Sequence, residues 1–192
     1  MSAAVYGGSA AVEAVREFLE DGTHGGASSP AQTLNGFLAD CRENVWGITE
    51  SVLPDVAVYE TVWPSGAQAN SFPYMAIVWD GCEGQDGGPG SNSRMFDHRI
   101  ELLLVVPQSV IDGDHQAVAL AALRYQDAIR TFFLRRLPMG EQGWTANNGG
   151  TGQARGRVIR CEITSQAQDS EGLTSPNFYA QIRLLVRMQE AY

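Results

Sequence analysis

Residues Phe96 to Leu137 constrain the fold more than any other stretch of this chain. Ile100, Leu102, Leu104 and Val106 recur at period two, alternating first with charged residues and then with Leu103 and Val105. That pattern predicts a strand with one face fully buried and the second face buried at one end. Pro107 stops the strand, and Asp112-Gly113-Asp114 supplies a turn and a helix N-cap. Val118, Ala121, Ala122, Tyr125, Ile129, Phe132 and Phe133 then follow at helical spacing. The resulting helix, Asp114 to Arg136, packs flat on a sheet, and its apolar face carries no catalytic group.

The flanking sequence extends this unit in both directions. Ala10 to Glu20 is amphipathic and is followed by Asp21 to Ser29, a linker by composition, so residues 1–29 read as an N-terminal arm and residues 30–192 as one domain. Ser29 and Pro30 make a helix start. Leu34, Phe37, Leu38, Cys41, Val45, Ile48 and Val52 mark one face of a helix that ends before Pro54. Strands are predicted at Val56–Trp63, Tyr74–Trp79, Phe96–Val106, Arg157–Thr164 and Phe178–Met188. The Gly-rich segments Gly81–Arg94 and Pro138–Gly156 read as exposed loops. The order, helix, three strands, helix, two strands, is that of an α+β domain. It has a mostly antiparallel sheet of about five strands with two main helices on one face.

Composition excludes several function classes. With 192 residues the chain holds one sizeable core. Its formal net charge of -9 argues against a protein whose main task is to grip nucleic acid, which needs a basic face. All 13 basic residues are arginine, so a Walker-type lysine, a Schiff-base lysine and a Ser-Lys dyad are excluded together. Cys41, Cys82 and Cys161 are far apart and form no CxxC pair; they read as free thiols in a reducing cytoplasm. The longest aliphatic run, Leu102 to Val106, is far below the roughly 18 residues of a membrane span, and no secretory signal is evident, so no membrane association is expected.

No chemical motif stands above its structural explanation. Asp97-His98 and Asp114-His115 are sequence neighbours and form no dyad by themselves; a surface histidine and a helix cap account for them. Cys82, Cys161 and His98 match no common metal spacing, and no cofactor is expected. Gly84 to Gly90 lacks the helix and the Lys or Ser/Thr of a phosphate loop and reads as a hairpin tip. Arg155, Arg157, Arg160, Arg183 and Arg187 are placed as a basic strip at one end of the sheet. Trp63, Trp79, Trp144, Phe72 and Tyr74 lie at strand ends or in loops, as interface anchors or as plugs of the sheet's ends.

The chain resembles the tail terminator, or tail completion, proteins of long-tailed bacteriophages, a group that includes minor tail proteins of the same fold. The resemblance rests on the helix Ala31–Leu53, on Asp55-Val56-Ala57-Val58-Tyr59-Glu60 and on Phe72-Pro73-Tyr74-Met75-Ala76-Ile77-Val78. It continues through His98–Val106, Ala122-Leu123-Arg124-Tyr125-Gln126-Asp127-Ala128-Ile129, and the closing Tyr179–Val186. It implies a virion protein of the tail or neck, assembled in the host cytoplasm. The resemblance further implies a homohexameric ring that caps the tail tube, stops its polymerisation and meets the head-completion or connector protein. DNA passes through such a lumen without specific binding, and no catalysis is required. On this reading Gly84, Gln85, Asp86, Arg94, Trp144, Arg155, Arg157, Arg160, Arg183 and Arg187 contact neighbouring subunits or the tube. A head-completion or adaptor protein is the nearest alternative. A small-molecule-binding or catalytic domain using His98 or Cys161 is the alternative from another class.

Overall fold

A computed structural model of the chain describes residues 7–20, 33–61, 71–85, 93–136, 144–147, 154–168 and 177–191. The elements in chain order are α1 (Gly8–Glu20), α2 (Leu34–Cys41) continued by a π-helical turn (Arg42–Trp46), β1 (Val58–Glu60), β2 (Tyr74–Gln85), β3 (Ser93–Pro107), α3 (His115–Arg136), β4 (Trp144–Asn147), β5 (Ala154–Gln168) and β6 (Asn177–Ala191). The class is α+β. Six strands form one sheet in the order β1-β2-β3-β6-β5-β4, antiparallel throughout except for the parallel pair β1 and β2. The sheet is therefore mixed, and it has one strand more than the sequence pattern suggests.

β3 and β6 are the central strands, and their alternation sets the two faces. Ile100, Leu102, Leu104 and Val106 of β3 share the inner face with Ile182, Leu184, Val186 and Met188 of β6, all buried against the helices. Leu102 stands opposite Ile182 and Ile100 opposite Leu184, so the two period-two patterns interlock in register. α3 lies on this face. All seven of its expected core residues are buried, and Asp114 caps it, its carboxylate accepting from the Gln116 and Ala117 backbone N–H groups at 3.0 Å each.

The N-terminal helix is no arm. In α1 the residues Ala10, Ala11, Ala14, Val15, Phe18 and Leu19 are all buried, and they join one continuous core with α2, α3 and the inner face of the sheet. Phe18 places its ring 5.0 Å from Phe132 and 5.2 Å from Phe133, at the centre of that core. Three alanines on its buried side allow the helix close approach to its neighbours. At its start a Cβ on Gly8 would lie 2.6 Å from the Trp79 ring, so the absence of a side chain there is what seats the helix over the indole.

Two further expectations are corrected. The helix predicted to run to Leu53 stops at Trp46, because Gly47 adopts a left-handed conformation with φ of 61° and caps the π-helical turn. Its observed N-cap is Thr33, whose hydroxyl accepts from the Gly36 N–H at 2.9 Å; the start expected at Ser29 and Pro30 lies outside the described residues. The loops Gly81–Arg94 and Pro138–Gly156 also contain ladder: β2 continues to Gln85, and β4 and the start of β5 fall inside the second loop. Glycine composition suggests loop at these places, but cross-strand partners supply what the glycines lack. A Cβ on Gly84 would lie 3.1 Å from the Phe96 ring, so this ring covers the strand where glycine leaves it bare.

Candidate functional site

The residues with chemical potential on the inner face are walled off rather than assembled. His98 is fully buried and has the same strand parity as Ile100, so the period-two pattern reaches it too; the surface position expected for it is incorrect. In the sheet His98 pairs with Val186, and Val186 with Cys161. The imidazole and the thiol are thus two strands apart, roughly 10 Å, with a valine between them. Burial, opposed by the nearby Asp97 charge, lowers the His98 pKa from its usual 6.5, and burial pushes the Cys161 thiol up to about 12. A neutral histidine and a protonated thiol at that separation make no nucleophile-base pair. Cys82 pairs with His98 in register but is exposed. Among the described residues no group of three His, Cys, Asp or Glu side chains is placed to hold a metal ion.

A second buried polar cluster serves the architecture. Asn35 of α2 pairs with Val56 as a strand would, donating to its carbonyl at 3.0 Å and accepting from its N–H at 2.9 Å. Arg42 donates to the Leu53 carbonyl at 2.9 Å and to Asp55 at 2.7 Å, and the Tyr125 hydroxyl donates to the Pro54 carbonyl. Three helical elements therefore clamp residues 53–56 and aim the chain into β1. Periodicity cannot show such side chain to backbone bonds, which is why these residues escape a reading based on pattern.

The back of the sheet is where the described molecule is left open, since α1, α2 and α3 all join the core on the other face. Two zones divide it. Toward β1 lies an apolar patch in which Val58, Phe72, Val78, Leu103 and Tyr179 are partly buried around the buried Tyr74, Ala76 and Val105. Tyr74 donates to Glu60 at 3.0 Å, and burial followed by that carboxylate pushes its hydroxyl up to about 12. Toward the other end lies a ladder of ion pairs: Arg187 with Asp97, doubly bonded at 2.6 Å, Arg183 with Glu101 at 3.5 Å, Arg99 with Glu83 at 2.8 Å, and Arg160 with Glu162. The Arg187 bonds hold the Asp97 carboxyl below its ordinary value.

This ladder revises the basic strip. Arg160, Arg183 and Arg187 do lie together on the back face, but each has a carboxylate of its own chain beside it, so these three are neutralised internally. The helix layer is itself acidic. In the helices and their connections Glu13, Glu17, Glu20, Asp40, Glu43, Glu50, Asp55, Asp112, Asp114 and Asp127 stand against Arg16, Arg42, Arg124, Arg130, Arg135 and Arg136. The other expected contact residues are distributed along strands. Gly84 and Gln85 end β2, Arg94 follows the first residue of β3, Trp144 begins β4, and Arg155 and Arg157 lie near the start of β5; of these, all but Gly84 have side chains outside the described part, and Asp86 lies outside it entirely. Trp63 also lies outside it. Trp79 packs on α1 and stays 45% exposed, while Phe72 and Tyr74 belong to the apolar patch.

One more surface feature escaped the pattern reading. α3 turns Leu120, Leu123 and Leu134 outward, exposed by 46%, 45% and 57%, and beside Leu134 a groove of about 530 Å³ opens between Arg130 and residues 162–166 of β5. The signal was available, since these leucines fall at i, i+3 and i+14 on the side away from Ile129. No protein-family model matches the chain, and no curated protein is similar to it in sequence.

Proposed function

We propose that the chain is a ring-forming structural subunit of the tail-terminator type, part of a phage neck, which caps the tail tube and joins it to the head connector. The observation that carries this reading is the half-covered sheet. One face is packed into a single core by three helices, while the other keeps an apolar patch and a self-neutralised ion ladder facing outward. A rigid body with one finished and one unfinished face suits a subunit that is completed by assembly. The net charge of -9 supports the same reading, because a passage for DNA must repel phosphate.

The test is direct. Purified protein, alone and mixed with its tail tube protein, is imaged by negative stain and weighed by light scattering. Rings that sit on the ends of short tubes are the expected result. Rings that bind portal or adaptor but ignore the tube assign the protein to head completion instead, and a persistent monomer overturns the ring.

A further inference from the structure

We infer that copies of this chain associate head to tail, the outward stripe of α3 on one copy covering the apolar back of the sheet on the next. The inference deepens the ring reading by naming the two surfaces that meet. A sheet reaches stable burial when helices cover its apolar surface, and here the back patch of Val58, Phe72, Val78, Leu103 and Tyr179 has no helix over it among the described residues. The same chain carries the missing cover on its far side. Leu120, Leu123 and Leu134 line the solvent face of α3 over 14 residues, about 21 Å of helix, a length comparable with four strands of a sheet.

Charge selects this pairing over others. The chain is acidic, and most of its helix layer would repel another copy. The α3 stripe is the exception, because the one acid between the leucines, Asp127, is flanked by Arg124 and Arg130. On the back of the sheet the four arginines whose side chains are described each sit beside a carboxylate of their own chain. Two partly apolar surfaces without an acidic excess of the helix layer's kind, on opposite sides of one subunit, cannot satisfy each other within that subunit. They meet between copies, and a contact that joins unlike surfaces propagates around a ring or along a filament.

Complementation tests this inference on the full-length protein. Leu123→Asp spoils the stripe and Leu103→Asp spoils the sheet back. Each variant alone is expected to be monomeric by light scattering where the parent forms the ring, with an unchanged circular dichroism spectrum. Mixed in equal amounts they still hold one intact stripe and one intact sheet back, so the mixture should give one-to-one heterodimers and no ring. If Leu103→Asp does not fold, Leu103→Gln takes its place. Rings that survive both substitutions, or two monomers that fail to complement, overturn the head-to-tail contact and leave the ring reading standing. A parent protein that stays monomeric at tens of micromolar overturns both.

Discussion

His98 shows what a single residue contributes when its surroundings, rather than its type, decide its behaviour. It is a titratable side chain in a row of aliphatic ones, fully enclosed, and enclosure lowers its pKa despite the neighbouring Asp97 charge. The unfolded chain takes up a proton at this histidine near pH 6.5, whereas the folded protein does so only at lower pH. The contribution is therefore intact above 6.5 and is lost as pH falls toward the folded value, with a slope of up to about 1.4 kcal/mol per pH unit. Urea melts of the parent between pH 7 and 5 should show stability falling in this direction. His98→Leu should flatten that limb whatever its absolute stability, and an unchanged slope would assign the pH dependence to other groups. Asp97 acts in the same direction at more acid pH. Its pKa is lowered mainly by the hydrogen bonds from Arg187, so its contribution persists above the ordinary carboxylate value and is lost below it.

At the level of elements, α1 separates what sequence can say from what it cannot. Ala10, Ala14, Val15 and Phe18 give the stretch an apolar side, yet Asp21 to Ser29 has the composition of a linker, and local pattern does not tell whether an amphipathic helix is used nearby. The structure puts Phe18 between Phe132 and Phe133. Phe18→Ala should then cost about 3–5 kcal/mol, a fall of roughly 6–20 °C in Tm for a chain of this size. A detached arm would lose nothing, so a thermal melt within a degree or two of the parent would contradict the packing. The elements legible from the start were β3, β6 and α3, whose periods are long and uninterrupted. β4 was not, because four residues among glycines carry no period. The apolar end of β3's second face was also legible, in Leu103 and Val105. The partners of Arg183 and Arg187 were not, since Glu101 and Asp97 meet them only through the register of β3 against β6.

For the whole molecule, the distribution of charge gives a prediction that depends on no single contact. Copies of a protein with a net charge of -9 repel one another as they approach, over a Debye length of about 10 Å at 0.1 M salt. If the arginines of the back face bridged to acidic groups of a neighbour, added salt would weaken assembly, as it weakens any exposed ion pair. The described arginines of that face are instead paired within the chain, and the surfaces inferred to meet are apolar at their centres. Salt then removes the repulsion and leaves the attraction, because burial of apolar area is not screened. Raising sodium chloride from 0.05 to about 0.5 M should therefore lower the concentration at which half the subunits are assembled by roughly tenfold, or about 1.4 kcal/mol of association free energy. Sedimentation velocity across a protein dilution series at the two salt concentrations reads this directly. A midpoint that rises with salt would place charged groups at the contact and exclude the pairing of α3 with the back of the sheet.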